Sequence, residues 1–564
     1  MPTAHGNRII GNKENRKYEN RRPYSRTLCL NAVFTGRGIF DQATFPQIMN
    51  RAEMLQRLRD EPPVWDVLVI GGGASGLATA VEAAARGYRT ALVEQADFAQ
   101  ATSSRSTKLI HGGVRYLQQG RLSLVRESLR ERGHLLRNAP QLVHRLPFIL
   151  PLYAWWERPF YGVGLKLYDQ LAGELGLGAA KHLSREETLA QMPGLARDGL
   201  RGGILYHDGQ FDDARLAITL AQTVADLGGA IANYIKVVSL LKQNGRVCGA
   251  TVCDAESGGE FEVRARVVVN ATGVFSDEVR RLDDRAAPEL LTMSQGAHIV
   301  LDKSFLPGGC ALIVPRTSDG RVFFAIPWHD RVLLGTTDTV VSKAVLEPRP
   351  LRIEVEFLLA HAAQYLAVAP AAKDILSAFA GLRPLVKGGA GKTSKLSRSH
   401  QVVVAPSGLV SLIGGKWTTS RLMAEDTVNQ AAMVGGLTAR VSPTKTLRLH
   451  GWRAAGDGNP ETAEYGSDAE SLIALGESVG EKLLHPRLPY GIGQVHWAVR
   501  HEMARTIEDV LSRRLRALPL DAQAAIEMAP QVAHIMAAEL GRDAAWEEQQ
   551  VLNFRKLALH YLFK

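Results

Sequence analysis

The 564-residue sequence predicts an α/β fold with a second domain built on an antiparallel β-sheet and a C-terminal α-helical domain. Three observations predict it. Residues 65–94, WDVLVIGGGASGLATAVEAAARGYRTALVE, read as strand, glycine-rich turn, helix and strand. Residues 286–400 hold short strand-like runs such as HIVLD, CALIVPR and RVFFAIPW. Beyond about residue 441 the pattern turns helical.

The first unit is Rossmann-like. An apolar run, Val67–Ile70, meets Gly71-x-Gly73-x-x-Gly76, then an Ala-rich helix to Arg86, a Gly87 cap and a strand ending in Glu94. Gly71 suits the tight turn, and Gly73 lets a pyrophosphate approach the backbone beside Ala74 and Ser75. Gly76 lets the helix pack on the strand. Glu94, 18 residues past the last glycine, is placed to bind a ribose diol. Two later segments return to this unit. VRARVVVNATG (263–273) is a strand ending in Ala271-Thr272-Gly273, and GLVSLIGGKWTTSRLMAE (408–425) is a strand followed by Gly414-Gly415 and a helix opening. A helix N-terminus there suits the pyrimidine edge of a reduced flavin. A simple NAD enzyme needs neither return, so FAD is the expected cofactor.

The expected organisation is a disordered basic extension at 1–48 and an FAD-binding domain within 49–440, assembled from about 64–285 and 400–440. A substrate domain is inserted at about 286–400, and 441–564 form a separate helical cap. The extension holds eight Lys/Arg and three Asp/Glu, a net +5 of the total +10. The remaining charge argues against nucleic acid and suits an acidic substrate or an anionic membrane surface. Four cysteines without a CxxC pair point to a reducing compartment with no structural zinc and no metal site. No apolar run is long enough for a transmembrane helix. From Val495, apolar residues recur through Val499, Met503, Ile507, Val510 and Leu511 at helical spacing, and Asp521 and Asp543 are placed to open further helices.

The basic loop SSRSTKLIHGGVRYL (103–117) suits a phosphate-bearing ligand. Together with YHDGQFDDARL (206–216), VVNATGVFSDEV (268–279), GAHIVL (296–301), IPWHDRVLLGTTDT (326–339), GLRPL (381–385) and GGKWTTSR (414–421), it resembles the FAD-dependent, quinone-linked glycerol-3-phosphate dehydrogenases. The resemblance runs from about Met49 almost to the C-terminus. It implies oxidation of sn-glycerol 3-phosphate to dihydroxyacetone phosphate, with electrons passing through FAD to ubiquinone or menaquinone. It also implies a cytoplasmic enzyme attached peripherally to the inner face of the cytoplasmic membrane, with homodimerisation left open. On this reading Ser104, Thr107, Lys108, Leu109 and His111 lie along the cofactor, and Gly112 and Gly113 allow its close approach. Arg115, with Tyr116 and Thr418, meets the substrate phosphate. Arg383 holds the substrate near C2, and Lys416 polarises the oxygen that loses its proton.

His298 is the candidate general base, since an ordinary histidine accepts a proton near pH 6.5; the alternative is a strand histidine bonded to a carbonyl. Arg398 is a further substrate contact or an exposed ion pair. Asp212-Asp213 read as a helix cap, and Gly335-Thr336-Thr337-Asp338 as a turn, with a lining of the active-site mouth as the alternative. The aromatic stretch 146–168, LPFILPLYAWWERPFYGVGLKLY, is either a membrane-interface contact or packing against the helical domain. No D-x-D-x-D-G loop is present, which argues against a calcium-regulated mitochondrial form. The competing readings are a glycerol-3-phosphate oxidase using oxygen and, from another class, a non-catalytic basic binding protein.

Overall fold

A computed structural model describes residues 49–60, 64–113, 120–315, 317, 321–387, 400–456 and 461–563. The extension 1–48 lies outside them, as do Arg115, Tyr116 and Arg398.

Two sheets organise the chain. The first, of eight strands, runs 400–404, 410–414, 260–270, 65–70, 90–93 and 230–232, with the hairpin 235–243/246–254 joined to the outer part of 260–270. Strand Trp65–Ile70 lies parallel to both Thr90–Val93 and Glu260–Asn270, and Val410 pairs with Val269. Both returns of the chain predicted from the glycine-bearing segments therefore enter this sheet. Val67, Leu68 and Val69 are fully buried, because helices cover the sheet. Each such side chain contributes about 1.5–3 kcal/mol.

The second sheet has ten strands, and here the predicted boundaries need correction. Besides 291–302, 311–314, 323–328, 331–335, 339–341 and 377–386, it takes in 109–110, 143–152, 181–183 and 202–211. Strand Val143–Leu152 pairs with Gly202–Phe211 along its whole length and meets Ala311–Leu312 in parallel. The sheet is thus not confined to 286–400. The local pattern gave no clue to this, because the paired residues, from Leu152 with Gly202 to Val143 with Phe211, lie 50 to 68 positions apart.

Period-two alternation puts Ala297, Ile299 and Leu301 on the face covered by helix Arg352–Tyr365. Val300, Phe379, Phe148 and Tyr206 face the other way and share one core with Val495, Val510, Met528 and Val532. The C-terminal helices therefore also cover the second sheet. Asp521 and Asp543 do cap helices, accepting from the N–H of Ala524 and Trp546. The helix that contains Val495 ends at His501, however, and Met503 has φ +54°, so the run to Leu511 is broken. A π-turn, Asp509–Arg514, follows. No helix among the described residues is long and apolar enough to cross a membrane.

His450 fastens the C-terminal region to helix Asp213–Asp226. Its Nδ1 lies 2.7 Å from Asp226 Oδ2, and its Nε2 lies 2.8 Å from Asp468 Oδ2. Burial opposes the imidazolium charge, yet the two carboxylates raise the pKa to about 10. Because the folded pKa is raised, the stabilisation is complete below pH 6.5 and is lost as pH climbs towards 10. His450→Gln should lower Tm at pH 7 by an amount corresponding to a few kcal/mol, about 1.4 for each pKa unit. It should also flatten the decline of Tm between pH 7 and 10 seen in the unaltered protein, which thermal melts across that range would check.

Candidate active site

Helix Ala74–Ala85 starts where the glycine turn leaves the first sheet. A Cβ on Gly76 would stand 1.9 Å from the Gly71 carbonyl oxygen, and one on Gly71, at φ +110°, would stand 2.8 Å from that of Ala271. Strand, helix and the Ala271 turn can approach this closely only with glycine at both places. The resulting cleft of about 390 Å³ is lined by Gly71, Gly73, Ala74, Ser75, Glu94, Ala271 and Gly273, all expected cofactor contacts. Its other wall is the loop Ala99–Ser103, of which sequence reasoning missed Ala99–Thr102, although they directly precede the basic loop.

Glu94 Oε2 accepts from the Gly72 N–H at 2.6 Å and Oε1 from the Ala96 N–H at 2.9 Å. Each oxygen keeps a lone pair for a ribose hydroxyl. Burial raises the pKa of this carboxyl. The donor set fits an FAD: a helix N-terminus for the diphosphate, a carboxylate for the ribose, and a glycine turn tight enough to bring the two together.

The rest of the basic loop is held differently from expectation. Lys108 is fully buried, with Nζ 2.7 and 2.8 Å from the two oxygens of Asp213 and 2.8 Å from the Ser104 carbonyl. Its side chain thus serves the fold and does not reach for a cofactor. Asp213 is correspondingly more than the predicted first-turn acid, although Asp212 does cap, accepting from Arg215 N–H. Leu109 is a short strand residue paired with Gln210, its side chain in the second core. A Cβ on Gly112 would stand 2.4 Å from both Leu129 Cδ2 and Tyr168 Oη, so helix packing demands this glycine. Gly113 has φ +82°, Gly414 +75° and Gly415 +88°.

Two basic residues are tied to the cleft wall through their neighbours. Thr102 Oγ1 donates to the carbonyl of Leu382 at 2.6 Å, and Trp417 Nε1 donates to that of Ser103 at 2.9 Å. Adjacent wall residues therefore fix the backbones beside Arg383 and Lys416, which lie far apart in sequence. Arg383 sits opposite Ser294, where Gly296 leaves room for its guanidinium. It donates to Thr337 O at 3.0 Å and to Thr336 Oγ1 at 2.8 Å, and Asp338 Oδ1 lies 3.8 Å away. The segment read as a plain turn is its cradle. Lys416 Nζ donates to Ser128 Oγ at 2.6 Å, so in this conformation it leans towards helix Leu122–Asn138. Thr418 is buried, its hydroxyl 3.5 Å from the His111 carbonyl.

His298 departs from its expected chemistry. It is 2 % exposed, stacks on Phe379, and has Nε2 2.9 Å from Thr107 Oγ1. Burial, then the charges of Lys108 and Arg383, hold its pKa well below 6.5. The ring is therefore neutral at physiological pH, with the Thr107 hydroxyl as its neighbour. An NMR titration of labelled histidine should find the His298 ring unprotonated between about pH 8 and 6, the range in which an ordinary histidine titrates.

The comparisons with known proteins agree with this geometry. The family model described as FAD dependent oxidoreductase matches residues 66–429, and that of the C-terminal domain of alpha-glycerophosphate oxidase matches 461–549. Mitochondrial glycerol-3-phosphate dehydrogenase of Homo sapiens is 41 % identical over 538 residues, covering 88 % of this chain and 73 % of the relative. That of Arabidopsis thaliana is 39 % identical over 533 residues, covering 86 % and 84 %. The structure of glycerol-3-phosphate dehydrogenase from Bacillus halodurans complexed with FAD superposes with a TM-score of 0.75 at 28 % identity, covering 91 % of this chain and 98 % of the other. Glycine cradle, Glu94, both returning strands and these likenesses converge: the chain belongs to the FAD-dependent oxidoreductases, in their glycerol-3-phosphate dehydrogenase family.

Proposed function

We infer that this protein oxidises sn-glycerol 3-phosphate to dihydroxyacetone phosphate and passes the electrons to a membrane quinone. The observation that carries the reading is the pair of bonds from Thr102 and Ser103, which bring the backbones flanking Arg383 and Lys416 to one wall of the cofactor cleft. FAD, when bound, supplies the acceptor for the hydride leaving C2. Arg383, held in direction by Thr336 and Thr337, binds the anionic substrate and stabilises the oxygen as charge develops. Lys416 supplies a second cation by turning from Ser128, Arg115 is assigned to the phosphate by resemblance, and Arg398 is a further candidate substrate contact. His298 is a neutral imidazole next to Thr107, but its depressed pKa makes it a weak base, so the substrate proton is not assigned to it.

Docking to the membrane is assigned to helix Glu157–Ala172. The stretch suspected from sequence divides in two. Phe148 is buried in the second sheet, whereas Trp155 is 77 % exposed, Trp156 48 %, Phe160 57 % and Val163 69 %. Large apolar side chains in water beside Arg158 and Lys166 favour an interface that is apolar below and anionic above.

Two experiments test this. In a dye-reduction assay, glycerol 3-phosphate should be turned over in preference to glycerol and lactate. Arg383→Ala should raise KM and lower kcat together, with kcat/KM falling by about a hundredfold or more; unchanged kinetics would remove the assignment. Under anaerobic conditions a quinone analogue should sustain turnover, and oxygen consumption without quinone reduction would make the enzyme an oxidase instead. Separately, Trp155→Glu with Trp156→Glu should abolish sedimentation with anionic vesicles while leaving turnover of a soluble dye intact.

A further inference from the structure

The cleft wall Gln95–Ser103 is anchored chiefly from the far end of the chain. Asp97, fully buried, accepts from Arg513 Nε at 2.5 Å and from both terminal nitrogens of Arg514, and Asn233 donates to it at 3.1 Å. Gln100, which lines the cleft, donates to Glu508 Oε1 at 3.0 Å; Arg513 Nη1 reaches the same oxygen at 2.7 Å. Arg516 Nη2 donates to the Ser104 carbonyl at 2.9 Å. Arg105, at the loop's end, is forked onto Glu347, which also accepts from Tyr561 Oη at 2.9 Å.

Stability alone is a poor explanation for this concentration of charge. Burial opposes ionisation of Asp97, and Arg514 and Arg513 must outweigh that before its pKa falls below the ordinary carboxylate range. Apolar side chains of similar volume commonly serve a buried interface as well as ion pairs do. What arginine forks supply and apolar contacts do not is a fixed direction and distance. The π-turn Asp509–Arg514 contributes to this, since both consecutive arginines, 513 and 514, reach one carboxylate. In the loop so held, the Ser103 hydroxyl oxygen accepts from the Ala74 N–H at the start of the glycine-turn helix, at 2.9 Å.

We propose that the C-terminal helical region is a working wall of the cofactor site: Arg514, with Arg513 and Glu508, is a positioning residue that sets the loop Gln95–Ser103 at the distance FAD requires. The inference rests on the assignment of the cleft to FAD. It gives the C-terminal region, whose chemistry is not visible in sequence, a part in holding the cofactor.

The test uses the holoenzyme. Release of FAD on dilution is followed by the fluorescence of free flavin, and turnover is measured against added FAD. Arg514→Lys keeps the charge and loses the fork; Glu508→Ala and Gln100→Ala act at the rim, where folding is least at risk. Each should raise the FAD dissociation constant by about tenfold, as loss of a charge-assisted hydrogen bond does. The Glu508→Ala/Gln100→Ala pair should cost less than the two single effects multiplied. Saturating FAD should restore kcat to that of the unaltered enzyme. FAD retained as tightly in all three variants, or a lower kcat at saturating FAD with unchanged affinity, overturns the proposal. Unaltered protein that purifies without flavin instead overturns the assignment of the cleft.

Discussion

One buried carboxylate joins the parts of this molecule. Asp213, at the start of helix Asp213–Asp226, accepts from Lys108 Nζ, from the N–H and hydroxyl of Ser106 at 2.9 and 2.7 Å, and from Arg516 Nη2 at 3.1 Å. These donors come from the basic loop and from the C-terminal region, while the helix itself packs on the first sheet. A charge taken this far out of water is tolerable only when nearly every lone pair is used and the helix N-terminus adds its own positive field. Burial lowers the pKa of Lys108 to about 8, so the pair has little to spare. Removing either partner would strand the other in a medium that cannot solvate it.

From that constraint the arrangement of the site follows. With Ser104, Ser106 and Lys108 fixed, the preceding residues Ala99–Ser103 have one course available, along the cleft. Their hydroxyls and carbonyls then set the strand bearing Arg383 and the turn bearing Lys416. The backbones beside Arg383 and Lys416 are bonded to the wall at 102–103, and that loop is in turn bonded to residues 508–516. Geometry at the reacting centre therefore depends on contacts well outside it.

The enzyme also separates its duties between sheets. The first sheet, parallel at its centre, presents helix N-termini and small residues, which suit a large anionic cofactor. The mixed sheet presents side chains at alternate positions, which suit a small substrate. Exposed aromatics, Trp155, Trp156 and Phe160, stand at the start of helix Glu157–Ala172.

Much of the cofactor cleft was legible in sequence because its signals are local. A glycine at Gly71 or Gly76 answers to backbone within a few residues or to one adjacent strand, and Asp212, Asp521 and Asp543 cap helices that begin beside them. The resemblance to a family added the substrate and Arg383, which spacing did not supply. What sequence misjudged depends on partners far along the chain. Lys108 reads as a ligand until Asp213 is seen against it, and His298 reads as an ordinary base until burial by Phe379 removes its water. Strand 143–152 joins the second sheet only because 202–211 lies beside it. Local dihedral preferences and spacing are properties of the chain itself; desolvation and ion pairing exist only once distant segments meet.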